Sequence, residues 1–257
     1  ASYNTAVGFE SMYAITTGHS NTALGTQALF TASTSSENTA LGYSCLYANT
    51  TGTANVAVGH KALVANTTGS NNTVVGRDAL YTAATASSNT AIGHQALYYL
   101  TTAENNVAIG KDCLENITTG GDTTAIGYRA GRDVTTGLQN VFVGMYAGRA
   151  FSTGSYNVAI GFNAMAHSSA VCTGDKNTCI GYDAMSSSNI TSAARNTTVG
   201  WAAMYNITTG AKNVAIGEGS AYNISTGDNN KFTRLWSEIQ LSDVNTNNSK
   251  DKKWIKL

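Results

Sequence analysis

The side chains best able to do chemistry are few: four His, fifteen Asp and Glu, and four Cys among 257 residues. His19, His60, His94 and His167 have no partners at a spacing that reads as a catalytic or metal-binding set. Cys45, Cys113, Cys172 and Cys179 fit no zinc motif, and they read as small semi-buried residues standing in for Ala. A glycosidase needs two carboxylates about 5 to 9.5 Å apart. Asp78 and Asp112 come nearest to supplying such a pair, but only if the fold brings them together. No catalytic residue, metal site or cofactor is expected, and the chain reads as a non-enzyme. What positions these residues is a repeat.

A Gly stands at 8, 25, 42, 59, 76, 93, 110, 127, 144 and 161, always 17 residues apart, and then at 181, 200 and 217 after intervals of 20, 19 and 17. Positions are numbered below from this Gly. At −4 stands Asn in every copy except one, which has Thr123. At −1 stands Val, Leu or Ile. At +3 stands Ala, Ser or Cys, and at +4 usually Leu or Met. At +9 stands Thr in every copy without an insertion. A unit reads N-T-A-I-G-x-x-A-L-Y-x-x-T-T-G-x-x.

Seventeen residues are too few for two helices and their connections. They suit two strands of about five residues and two tight turns. Identical coils stack, so each position becomes a column with about 4.8 Å per rung. Thirteen rungs make a rod of about 60 Å. Asn21, Asn38, Asn55, Asn72, Asn89 and Asn106 then form an amide ladder. Thr51, Thr68, Thr85 and Thr102 are expected to pair rung to rung in the same way. Gly supplies positive φ or close backbone approach. Pro is absent, as suits a chain whose N–H groups are nearly all in ladders.

In N-T-A-I-G the −3 and −1 side chains point one way and the −2 Ala the other. An Ala-lined interior leaves the Val/Ile/Leu column in need of cover, and association of identical chains supplies it. A three-sided monomer with the Ile column inside is the alternative. The expected fold is therefore an all-β parallel β-solenoid of thirteen coils, assembled as a homotrimer. It spans residues 1–230, and 231–257 form a cap on the last rung or a junction to another segment. Asn230 opens a fourteenth unit, but Arg234 replaces its Gly, and Phe232, Leu235, Trp236 and Ile239 have helix-like spacing.

The units Asn55–Gly59, Asn106–Gly110 and Asn213–Gly217 resemble the head repeats of trimeric autotransporter adhesins and the β-roll repeats of phage tail fibres. The resemblance covers residues 1–230. It implies a left-handed parallel β-roll wound as a homotrimer, although adhesin coils are shorter, at about fourteen residues. Ser242-Asp243 matches the dipeptide that opens a self-cleaving fibre chaperone, but Val244-Asn245-Thr246 does not continue that pattern.

Charged residues are 12%, about half the usual ~25%, and net charge is zero. Nothing marks a nucleic-acid or anionic-membrane partner. No apolar run reaches the ~18 residues of a membrane helix, and no leader is visible at the N-terminus. The expectation is a fibrous structural or adhesion protein on a virion surface, or outside or on a cell. As a tail-fibre segment it would present a receptor-binding surface to a cell-surface receptor, with glycans among the candidates. The alternative is the head of a bacterial trimeric adhesin. An enzyme on a β-helix is opposed by the scarce carboxylates. An ice-binding solenoid needs a flat Thr-x-Thr array, and the −3 column, where Thr alternates with Val beside apolar −2 and −1 columns, argues against one.

The candidate receptor-contact residues lie mostly at +1, the most variable column: Tyr43, His60, Arg77, His94, Lys111, Tyr128, Phe162, Tyr182 and Trp201. Large mixed aromatic and basic surfaces suit binding. His167, Ser187 and Asn189 join them from the two insertions, which are expected to protrude side by side. Sequons at Asn49, Asn66 and Asn116 are cheap matches in an Asn/Thr repeat. Cys45 and Cys113 sit four rungs apart, about 19 Å, too far for a disulfide, which needs about 7 Å. Cys172 and Cys179 straddle an inserted turn and can pair.

Overall fold

The computed structural model describes residues 1–166, 172–186 and 191–234. It is an all-β parallel solenoid, with no helix among the described residues. Fourteen three-residue strands, from β1 (Thr5–Val7) and β2 (Thr22–Leu24) to β13 (Val214–Ile216) and β14 (Lys231–Thr233), form one sheet in chain order. Every pairing aligns the same positions of the repeat, as in Thr5 with Thr22 and Ala6 with Ala23. β14 carries the ladder past residue 230, and Arg234 N–H donates to the Ile216 carbonyl at 2.9 Å. Phe232 therefore lies in a strand. The other three members of its helix-like set lie outside the described residues, as does Ser242-Asp243.

The coil closes differently from the two-strand expectation. Only the −3 to −1 side is regular strand. On the next side, +2 and +4 both adopt left-handed backbone, as at Lys61 (φ 53°) and Leu63 (φ 54°). The flips turn successive N–H groups opposite ways along the axis. Lys61 N–H reaches back to the Tyr43 carbonyl, and Leu63 N–H reaches forward to that of Ala79. A non-Gly residue in this conformation costs about 1–2 kcal/mol. Two such residues cost about 2–4 kcal/mol per coil, and complete burial of the +4 Leu offsets about 1.5–3 kcal/mol of it.

Inside one coil lie Asn55, Ala57, Ala62, Leu63 and Asn66, all fully buried. Val56 and Val58 face outward, as the alternation predicts. The corner Gly is obligatory. At Gly25 (φ 139°) and Gly42 (φ 139°), an added Cβ would stand 2.5 Å from the carbonyl oxygen of the Gly in the next coil.

The Asn column is a fully used ladder. The Asn55 Oδ1 accepts both the N–H and the Nδ2 of Asn72, each at 3.0 Å. The Asn72 Nδ2 also crosses its own coil to the Ala86 carbonyl at 2.8 Å. Each Asn thus joins rungs and clamps its coil shut. The Thr column differs from expectation. Thr51, Thr68, Thr85 and Thr102 are exposed. The hydroxyls that bond between rungs sit one residue earlier: Thr50 donates to the Thr67 carbonyl at 3.0 Å and Thr67 to that of Ala84 at 2.9 Å.

The insertions leave the register intact. β10 (Val158–Ile160), β11 (Thr178–Ile180) and β12 (Thr197–Val199) pair in step despite the longer intervals. All four Cys are buried and none forms a disulfide, so the Cys172–Cys179 pair allowed by the sequence is not made. Burial pushes the Cys45 and Cys113 thiols up to about 12, which makes them inert packing groups.

Candidate receptor-binding face

The +1 side chains leave the coil immediately after the Gly corner. Parallel register sets them directly above one another. Tyr43, Arg77, Lys111, Tyr182 and Trp201 are exposed, and Arg77 most of all, with 67% of its side chain accessible. Neighbouring rungs interact. Tyr43 stacks on His60 at 5.3 Å between centroids, and Phe162 on Tyr182 at 5.0 Å. Tyr128 lies between two cations, Lys111 at 5.8 Å and Arg129 at 4.9 Å. The column is therefore one continuous surface. His167, Ser187 and Asn189 lie outside the described residues.

Two histidines do have partners, contrary to the sequence reading. The His60 Nδ1 is 3.6 Å from Asp78 Oδ1, and the His94 Nδ1 is 3.7 Å from Asp112 Oδ1. In both pairs a +1 residue meets the +2 residue of the next rung, eighteen positions on. Stacking makes such residues neighbours, whereas a scan along the sequence separates them. Asp78 also meets Arg77 at 3.1 Å, and Asp112 meets Arg129 at 3.1 Å and Lys111 at 3.9 Å. Each carboxylate thus pairs with an arginine, while Asp112 Oδ1 and His94 Nδ1 are buried without a hydrogen bond. The hydrogen bond to Asp112 holds the Arg129 guanidinium above its ordinary pKa. Among the described residues no group of three or more His, Cys, Asp or Glu could hold a metal ion. No helix among them is long and apolar enough to cross a membrane.

A second surface column, at +5, escaped the sequence reading, although the consensus unit carries its Tyr. Tyr13, Phe30 and Tyr47 stack at 5.2 and 4.9 Å, nearly parallel. Tyr81 stacks on Tyr98 at 5.0 Å and Tyr205 on Tyr222 at 5.1 Å. Between these runs the column holds Glu115, Arg132 and Arg149. Burial, and then the nearby Asp112, raise the Glu115 carboxyl above its ordinary range. The ring faces are spent on one another, so the stack offers mainly edges to a partner. The +1 column, by contrast, keeps the mixed basic and aromatic character suited to binding.

The sequons divide. Asn49 and Asn66 are fully buried and bonded to each other, Nδ2 to Oδ1 at 2.9 Å. A glycan could not be accommodated at either in the folded chain. Asn116 lies at the surface, where its Nδ2 donates to Asp133 at 3.1 Å. No protein-family model matches the chain, and a search of curated proteins finds none that matches it.

Proposed function

We propose that this chain is a non-enzymatic segment of a parallel homotrimeric fibre, a tail fibre exposed at a virion surface. Its +1 column would present a cell-surface receptor, glycan included, with aromatic and basic contacts. The observation that carries this reading is the −1 column. Val7, Leu24, Leu41, Val75, Ile92, Ile126, Ile160, Ile180 and Ile216 are exposed on the outside of a coil whose interior is already filled. An unbroken apolar stripe of this length is unusual on an isolated soluble chain.

Covering a half-exposed aliphatic side chain is worth about 1 kcal/mol. Thirteen rungs supply on the order of 10 kcal/mol per chain, comparable to association costs of about 4–15 kcal/mol. A few rungs would not suffice, so the length of the rod is part of the mechanism. Identical columns, in register on every chain, also match rung for rung about a common axis. Light scattering should give three times the 26.7 kDa chain mass. A solution mass of one chain at micromolar concentration would refute the assembly.

A further inference from the structure

The +9 column poses a separate question. Thr recurs there at every seventeenth residue from Thr17 to Thr153, and again at Thr209 and Thr226. All of these are exposed, and their hydroxyls make no hydrogen bond to another described residue. The rung-to-rung hydroxyl bonds belong to +8 instead. The fold therefore does not require Thr at +9. Two positions on, at +11, the same exposed side accepts His19, Glu104, Gly121 and Leu138. A column that is uniform where its neighbour varies freely points to a requirement of the surface itself.

That surface is rigid and two-dimensional. Burial alternates from exposed at +9 to buried at +10 and outward again at +11, as in an extended segment. In four consecutive coils +11 is also a hydroxyl, giving Thr34-x-Ser36, Thr51-x-Thr53, Thr68-x-Ser70 and Thr85-x-Ser87. The +11 hydroxyls are held in place: Ser36, Ser70 and Ser87 accept the N–H groups of His19, Thr53 and Ser70 at 3.1, 3.0 and 3.1 Å. The two-column hydroxyl array sought at −3 in the sequence lies at +9 and +11, as one Thr-x-Thr and three Thr-x-Ser rungs.

Over these four coils an uncharged lattice of hydroxyl and methyl groups repeats about every 4.8 Å along the rod and about 6.6 Å across it. Its natural partner is itself periodic, hydroxyl-bonding and uncharged. We infer that this face binds the ordered water of an ice surface, whose oxygen rows recur at nearly the rung spacing. The hydroxyls anchor the water and the γ-methyl groups hold it in register between rungs. A second copy of this chain is the competing occupant, but self-association already has the apolar −1 column.

The test uses the full chain. Ice recrystallisation and thermal hysteresis are measured for the parent, for Thr68→Tyr in the middle of the array, and for Val64→Tyr. The last places at +5 a residue that other coils carry there. The parent and Val64→Tyr should both restrain crystal growth, and Thr68→Tyr should lose at least several-fold of that activity while its thermal melt is unchanged. Thr68→Lys gives the same reading if the Tyr variant does not fold. A parent chain without effect on ice overturns the inference, as does a Thr68 variant as active as the parent. A Thr68 variant that instead lowers the solution mass assigns the column to self-association and also overturns it.

Discussion

The coils from Asn21 to Asn106 and the stretch from Thr123 to Gly148 obey the same repeat and are built differently. In the first, Asn bonds to Asn at every rung, −2 is Ala except at Val74, and +4 is Leu. In the second, all three columns break. Thr123 interrupts the amide ladder, Phe142 occupies the Ala position at −2, and Gly131 and Gly148 replace Leu at +4. The breaks compensate one another. Phe142 is fully buried, and a Cβ on Gly131 would come within 2.8 Å of its ring. A Cβ on Gly148 would collide with the ring outright. The Phe142 ring, with Phe151 beside it, occupies space that two leucines vacate. What the repeat keeps is a filled interior, and more than one set of side chains fills it.

The largest expected effect breaks this exchange. Phe142→Ala should cost about 3–5 kcal/mol, because two of the residues against its ring, Gly131 and Gly148, have no side chain to fill the cavity. Adding Gly131→Leu and Gly148→Leu restores the consensus and should recover most of the loss. Urea denaturation of the single and triple variants measures both. A triple variant no more stable than Phe142→Ala would show that the three positions are not coupled.

The comparison also shows what was legible in the sequence. The columns, the Asn ladder, the outward −1 side chains and the register across both insertions follow from period and residue type, and the structure has them. The left-handed +2 and +4 residues do not, because Leu carries no local signal for positive φ, and only burial of Leu63 and its equivalents makes it tolerable. The His60–Asp78 and His94–Asp112 pairs and the +5 stacks were hidden for another reason. They join residues one rung apart, and such contacts emerge only when the sequence is written coil under coil. The hydroxyl ladder was misplaced by one residue because Thr-Thr at +8 and +9 gives two candidates, and the backbone direction that separates them is not in the sequence.

Mending the ladder is the second test. Thr123 Oγ1 accepts the Asn140 N–H at 3.3 Å, but Thr has no amide to donate to Asn106 Oδ1 or across its own coil to the Gly137 carbonyl. Thr123→Asn supplies both donors in a buried position, and should add about 1 kcal/mol. The same measurement on Asn72→Thr, which copies the break into the regular region, should show a loss of similar size. Equal stability of Thr123→Asn and the parent would mean that the irregular stretch has already adapted to the missing amide.

The smallest effect concerns charge. At +5 the regular region carries aromatic rings at every position but Val64, and Glu115 stands between it and the irregular stretch. Burial and the adjacent Asp112 raise the Glu115 carboxyl above its ordinary range. The folded chain therefore holds this proton more tightly than the unfolded one. Its contribution to stability is fully present below about pH 4.5 and is lost as pH rises through the higher folded value. Glu115→Gln removes the ionisation. The variant should match the parent in acid and exceed it slightly at neutral pH, by less than the ladder repair adds, since Arg132 and Arg129 partly offset the cost of the charge. Urea midpoints recorded for both chains from pH 4 to 8 would resolve this. If the two curves run parallel, the carboxylate is already well accommodated among its arginines. The irregular stretch would then differ from the regular one in packing and hydrogen bonding alone.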